Sequence, residues 1–197
     1  FQVKDQLLYD WERQLPQDKP NYFLVNIPVD KVSELEQFII DNKIPSSYAY
    51  AMVRTRLLSI NGIDAKSIEF SNDRARHLID HTFNISFSTL LPPDNAIIEG
   101  EWFSEMQSPE GFSVEQGMAE KLNLKLGDSI QFSVAGSIFE GEVKSIRSVL
   151  WENFQPNFYI LATRPQLVDK PQTWMMSTFI DNDSKSLLKP LLQQFPT

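Results

Sequence analysis

An α+β fold is expected from the order of periodic segments along this 197-residue chain. Between Tyr22 and Ile60 a short apolar run, an amphipathic helical stripe and a long apolar run follow one another, which is the order of a β-α-β unit. Near the other end, Trp174 to Leu191 reads as a strand followed by a helix. Residues 63–169 between them are cut by Pro and Gly into short elements. Two split β-α-β halves flanking an insertion are most simply joined as one ferredoxin-like layer with an inserted small α/β subdomain. The expected boundaries are 1–62 with 170–197 for the layer and 63–169 for the insertion.

The layer begins with an apolar stripe through Leu7, Leu8, Trp11 and Leu15, with Asp10, Glu12 and Arg13 outside it, ended by Pro16 and Pro20. The chain opens on Phe1 inside that helical pattern, as a piece of a longer polypeptide would. Tyr22 to Ile27 is a compact strand, and Pro28 breaks it. Asp30 is expected to cap a helix with the stripe Val32, Leu35, Phe38 and Ile39, closed by Pro45. Tyr48 to Ile60 is a second, long strand ending at Asn61-Gly62, a strong hairpin signal. At the far end, Asp181 to Ser184 offers caps to a helix with Leu187, Leu188 and Leu191 on its apolar face, and Pro190 marks a kink or restart.

The insertion starts with a polar helical segment, SNDRARHLIDHTFNISF, followed by the turn-rich Leu91 to Asn95 and the apolar AIIEGEWF. Val114, Met118, Leu122 and Leu124 then recur at helical spacing, and Leu126-Gly127-Asp128 is expected to end that helix. Ile130, Phe132 and Val134 alternate with Gln131 and Ser133, Ala135-Gly136 turns the chain, and Phe139 to Val149 returns as a strand. An aromatic-polar strap through Trp151, Asn153, Phe154, Asn157, Phe158 and Tyr159 follows.

Composition removes several classes of function. Eighteen basic against 26 acidic side chains leave a net charge of −8 with no basic run, so the counterion release that drives nucleic-acid binding has no source. Cysteine is absent, which removes disulfides and thiolate chemistry. No apolar run approaches the roughly 18–20 residues that span a bilayer as a helix. The Gly-x-x-x-x-Gly-Lys-Ser/Thr phosphate loop is also missing, and no cofactor is expected.

Possible sites are few. His77 and His81 lie i, i+4 on one helical face with Asp73, an acceptable ligand spacing, and a metal-dependent or hydrolytic enzyme is the alternative reading of the chain. That pair lacks the Glu of a His-Glu-x-x-His motif and any third His, so a polar surface helix is the simpler account. No Gly-x-Ser-x-Gly elbow activates a serine. Glu99, Glu101 and Glu105 around Trp102 are expected to be solvated. Arg54 and Arg56 share one strand face, either as its polar side or as a grip for an anion or a partner carboxylate. Trp151, Phe154, Asn157 and Phe158 would hold the hairpin to its neighbour or, where exposed, receive a hydrophobic ligand.

The blocks RTRLLSING (54–62), RARHLIDHTFNISF (74–87), LPPDNAIIEGEWF (91–103), SVEQGMAEKLNLKLGDSIQFSVAG (113–136) and VLWENFQPNFYIL (149–161) resemble the extracytoplasmic domain of YbbP-type permeases. These belong to the FtsX-like group of ABC transporter subunits, which includes MacB. The resemblance implies a porter layer from the chain ends and a MacB-like periplasmic core between them, on the periplasmic side of the bacterial inner membrane. It implies a non-catalytic part that passes on the motion of a cognate cytoplasmic ATPase by mechanotransmission, moving hydrophobic or lipid-like compounds. A periplasmic thioesterase or lysophospholipase is an implied partner. No catalytic residue is carried over, and the candidate surface remains Trp151, Phe154, Asn157, Phe158, Arg54 and Arg56.

Overall fold

The computed structural model describes residues 19–70, 73–103, 111–163, 167–187 and 189–191. The stripe at 7–15, Glu105, Leu188 and the last residues of the chain lie outside the described residues. In chain order the elements are β1 (Tyr22–Ile27), α1 (Val32–Asp41), β2 (Tyr50–Ile60), β3 (Ile63–Asp64), α2 (Asp73–Asp80), β4 (Phe83–Phe87) and β5 (Asn95–Gly100). They continue with β6 (Gly111–Glu115), α3 (Gln116–Leu122), β7 (Ser129–Val134), β8 (Ser137–Val149), β9 (Ile160–Ala162) and β10 (Thr173–Thr178). The fold is mixed α+β and dominated by its sheet.

β10 lies between β1 and β2, antiparallel to both, so β1-α1-β2 is a β-α-β unit split by a strand from the far end of the sequence. Val32, Leu35 and Ile39 of α1 pack on Leu24, Ile27, Met176 and Ile180, the apolar side of that sheet. Asp30 does not cap α1. It sits in a 3-10 turn, Val29–Lys31, closed by Lys31 N–H donating to Pro28 O at 2.9 Å, and this turn runs straight into the helix. α1 also stops ahead of Pro45: Asn42 Nδ2 donates to Phe38 O at 2.8 Å, and Lys43 turns away at φ +53°.

Six strands close on themselves. β2 pairs with β4, β4 with β9, β9 with β6, β6 with β8, β8 with β7, and β7 returns to β2. A closed ring leaves no free edge among its members, and side chains from alternate positions fill it. Val53, Leu57, Ile85, Phe112, Val114, Ile130, Phe132, Val143 and Ile160 form that core, joined by Ala75 and Ile79 of α2 and Met118, Ala119 and Leu122 of α3. β5 pairs with the last third of β8.

β7 alternates half-buried and buried residues as its sequence pattern demands. Both short hairpins have positive φ at their two central residues, +51° and +77° at Asn61-Gly62 and +47° and +85° at Ala135-Gly136. That is the requirement of a type I′ turn, which matches the twist of paired strands.

Three expectations for the insertion need correction. The segment SNDRARHLIDHTFNISF is helical only to Asp80, and Phe83–Phe87 is a strand. Val114 belongs to β6, not to the helix; all five β6 residues are buried, and a strand covered on both faces carries no period of two to distinguish it. α3 ends at Asn123, left-handed at φ +52°, rather than at Gly127. Gly127-Asp128 instead shapes the entry to β7, where the Asp128 carboxylate accepts from Lys125 N–H at 2.7 Å and from Asn61 Nδ2 at 2.9 Å. At the chain's far end, Ser184 N–H does donate to Asp181 Oδ1 at 2.7 Å, but what it opens is a 3-10 turn, Asp183–Leu187. Helical geometry resumes at 189–191, with Leu191 buried.

Candidate functional site

β2 is shared between the two cores: its first residues pair with β10 and the remainder lies in the ring. Where the two units meet, the chain between α1 and β2 forms one wall of an apolar cleft. Ser47 holds that wall to β10, its backbone N–H donating to Ser177 O and its hydroxyl accepting from Ser177 N–H, both at 2.9 Å. Tyr48, the next residue, consequently projects outward with 66% of its surface exposed. Two hollows, of about 600 and about 660 Å³, meet at Tyr48, Tyr50 and Pro93. The first extends over Ile39 and Ile40 of α1, the second over Leu90 and Trp174.

The opposite wall is the strap, held by amides. Asn95 Nδ2 donates to Asn157 Oδ1 at 3.2 Å and Asn157 Nδ2 to Asn153 Oδ1 at 3.1 Å. Asn153 Nδ2 donates to Asp94 Oδ2 at 3.0 Å, and its Oδ1 also accepts from Gln155 N–H at 2.9 Å. These bonds anchor the loop bearing Pro93 and the segment bearing Gln155 and Pro156 to the same strand end. Satisfied buried amide networks rigidify what they join.

Beneath the cleft, Tyr50, Phe103, Phe158 and Leu161 form a small separate core. Burial pushes the Tyr50 phenol up to about 12, with a smaller contribution from Tyr48. The unfolded chain loses that proton near its ordinary value of 10.0 while the folded chain keeps it, so folding stability falls as pH climbs from 10 to 12. Tyr50→Phe should flatten that decline. Urea midpoints at several pH values in the window test this, and equal slopes for the two proteins would refute it.

The residues singled out from the sequence fall in different places. Phe158 is only 6% exposed, so it belongs to the core and offers no surface. Trp151 is exposed and packs its ring on Tyr159 at 4.9 Å, while Phe154 and Asn157 are half-buried. Arg54 and Arg56 lie on the outward face of β2, in a separate hollow with no residue in common with the cleft. His77 and His81 are exposed, their rings 4.1 Å apart and tilted by 31°, with His81 Nδ1 3.0 Å from His77 O. Among the described residues no group of three His, Cys, Asp or Glu side chains is placed to hold a metal.

Arg147 was not singled out, yet it is the largest fully buried side chain among the described residues. Its Nε donates to Asn95 Oδ1 at 2.9 Å, its Nη1 to Ser113 O at 3.1 Å and Tyr159 O at 3.4 Å, and its Nη2 to Phe158 O. One guanidinium thus ties β8, β6, β5 and the strap. Burial pulls its pKa down to about 10, opposed by the nearby Glu115 carboxylate, and it stays charged at neutral pH. Strict period two would group Arg147 with Phe139 and Val143. However, β8 carries an extra residue between Val143 and Ser145 against Phe112-Ser113 of β6, so Arg147 faces the other way, beside Ser145, and spacing alone does not place it.

No family model matches the chain. The Escherichia coli (strain K12) protein named uncharacterized ABC transporter permease YbbP is 34% identical to it over 195 residues. The chain is a homologue of one segment of a YbbP-type permease. The matched residues are 99% of this chain and 23% of YbbP, so the chain spans about a quarter of that protein's length. Because the match to YbbP is nearly complete on this side, it takes in the split β-α-β unit, the closed ring and the cleft between them. Among the described residues no helix is long and apolar enough to cross a membrane.

Proposed function

We propose that this chain is the non-catalytic periplasmic domain of an ABC transporter permease subunit. In this reading it passes on motion driven by ATP hydrolysis at a cognate cytoplasmic ATPase, and so extracts or exports hydrophobic, lipid-like compounds from the inner membrane. The β1-β10-β2 sheet with α1 is the porter-like layer, residues 63–169 are the MacB-like core, and a periplasmic thioesterase or lysophospholipase is a further partner. The match to a permease along nearly the whole chain carries the reading.

The way β1 and β10 are joined supports it. Asn21 N–H donates to Thr178 O at 2.9 Å, Asn21 Nδ2 donates to Ile180 O at 2.8 Å, and Ile180 N–H donates to Asn21 Oδ1 at 2.9 Å. These bonds clamp the residue ahead of β1 to the end of β10 and the residues just after it, so a displacement applied to either strand is felt by the layer. The apolar cleft beside that layer is where a hydrophobic compound would lodge.

Single cysteines in the full-length permease, with any others removed, test both location and site. Ile138→Cys lies on an exposed hairpin, 63% open, and Tyr48→Cys lies in the cleft. A membrane-impermeant maleimide should label Ile138→Cys in intact cells; labelling only after lysis would sink the periplasmic placement. With the permease reconstituted beside its ATPase, a bulky maleimide at Tyr48→Cys should depress substrate-stimulated ATP hydrolysis while the same group at Ile138→Cys leaves it unchanged. Equal effects at both positions would count against the cleft.

A further inference from the structure

On the outside of the ring, a hollow of about 400 Å³ opens where β2 passes β7 and the turn at Thr82. Arg54 and Arg56 line it from the outward face of β2, two residues and so about 7 Å apart. Thr55 between them is buried and spends its hydroxyl on Phe83 O at 3.1 Å. Arg54 Nε donates to Thr82 Oγ1 at 2.8 Å, which orients the guanidinium and leaves both Nη groups without a partner among the described residues. The Arg56 side chain makes no hydrogen bond or ion pair among the described residues; the pairs Lys31–Glu34 and Lys144–Glu142 lie elsewhere.

The lining of this hollow adds the hydroxyls of Thr82 and Ser133 and contains no carboxylate. In a chain of net charge −8, two uncompensated guanidinium groups beside each other form a local cationic patch against the overall field. One Arg fork already uses both oxygens of a carboxylate, whereas a phosphate group has acceptor oxygens enough for two forks. We propose that Arg54 and Arg56 bind a phosphate oxyanion, whether free or as the headgroup of an anionic lipid. The inference rests on the hollow's own chemistry and stands apart from the permease reading.

Calorimetric titration of the 197-residue chain with inorganic phosphate, and its sedimentation with phosphatidylcholine vesicles lacking or containing phosphatidylglycerol, test it. Phosphate binding weakened about tenfold or more by R54Q/R56Q supports a site for the free anion. Sedimentation only with phosphatidylglycerol vesicles, lost in R54Q/R56Q, supports a site for the headgroup. Both side chains are exposed, so the variant should keep the native thermal midpoint, which serves as the folding control. Failure of both probes to bind, or binding that R54Q/R56Q leaves intact, overturns the proposal. R54K/R56K retains the charge without the planar fork, and full affinity in that variant overturns the bidentate arrangement.

Discussion

Phe132→Ala should destabilise the chain by about 3–5 kcal/mol. Phe132 is fully buried at the middle of the ring, edge-on to Phe112 at 5.2 Å and to Phe83 at 6.0 Å, and stacked on Phe139 at 5.5 Å. Truncation there loses the transfer free energy of the ring and leaves a cavity that neighbouring strands, held by hydrogen bonds on both edges, cannot close. Phe132→Leu keeps most of the volume and should cost about 1.5 kcal/mol or less. Ile138→Ala, six residues on in the same hairpin but 63% exposed, should fall within about 0.5 kcal/mol of the native protein. Urea unfolding of the three variants decides the point, and comparable losses at 132 and 138 would contradict the closed ring.

Arg147→Met is expected to cost about 2–4 kcal/mol. Two effects oppose each other at this site. Removing the guanidinium relieves the burial of a charge, which the lowered pKa records, but it leaves Asn95 Oδ1 and Phe158 O without their donor. Tyr159 O is less affected, because it also accepts from Glu115 N–H at 2.7 Å. An unsatisfied buried acceptor costs about 1–3 kcal/mol, and the amide network of Asn95, Asn157 and Asn153 loses its side-chain link to Arg147 as well. The loss of acceptor partners therefore outweighs the relief. Arg147→Lys keeps the charge and not the fork, so it should recover only part of the stability. Faster amide hydrogen exchange at 150–159 in Arg147→Met would place the damage in the strap; a loss under about 0.5 kcal/mol would show that the strap is held by other contacts.

The candidate cleft was less legible than the elements around it. Tyr48 could be seen only as the start of an apolar run, and Pro93 only as part of a turn, since neither carries a signal for the other. Their meeting depends on Ser47 bonding to Ser177, 130 residues away, and on the Asn95–Asn157 bond across 62 residues. Phe158 illustrates the converse: an aromatic in a polar strap resembles an exposed anchor, and only its packing against Tyr50, at 6.0 Å, assigns it to a core.

Local chemistry accounts for β1, β2, β7, β8 and β10, for both type I′ turns and for the absence of any recognisable catalytic motif. Period-two burial and residues that tolerate positive φ act within a few positions of the chain, so they can be read one segment at a time. Long-range contact accounts for the rest: the closure of six strands through the pairing of Arg56 with Ser133, the parallel seating of Ser86 beside Leu161, the burial of Arg147, and the clamp between Asn21 and Ile180. Each of these joins residues far apart in sequence, where the identity of a partner is set by packing and hydrogen-bond satisfaction across the whole fold and leaves no trace in local periodicity.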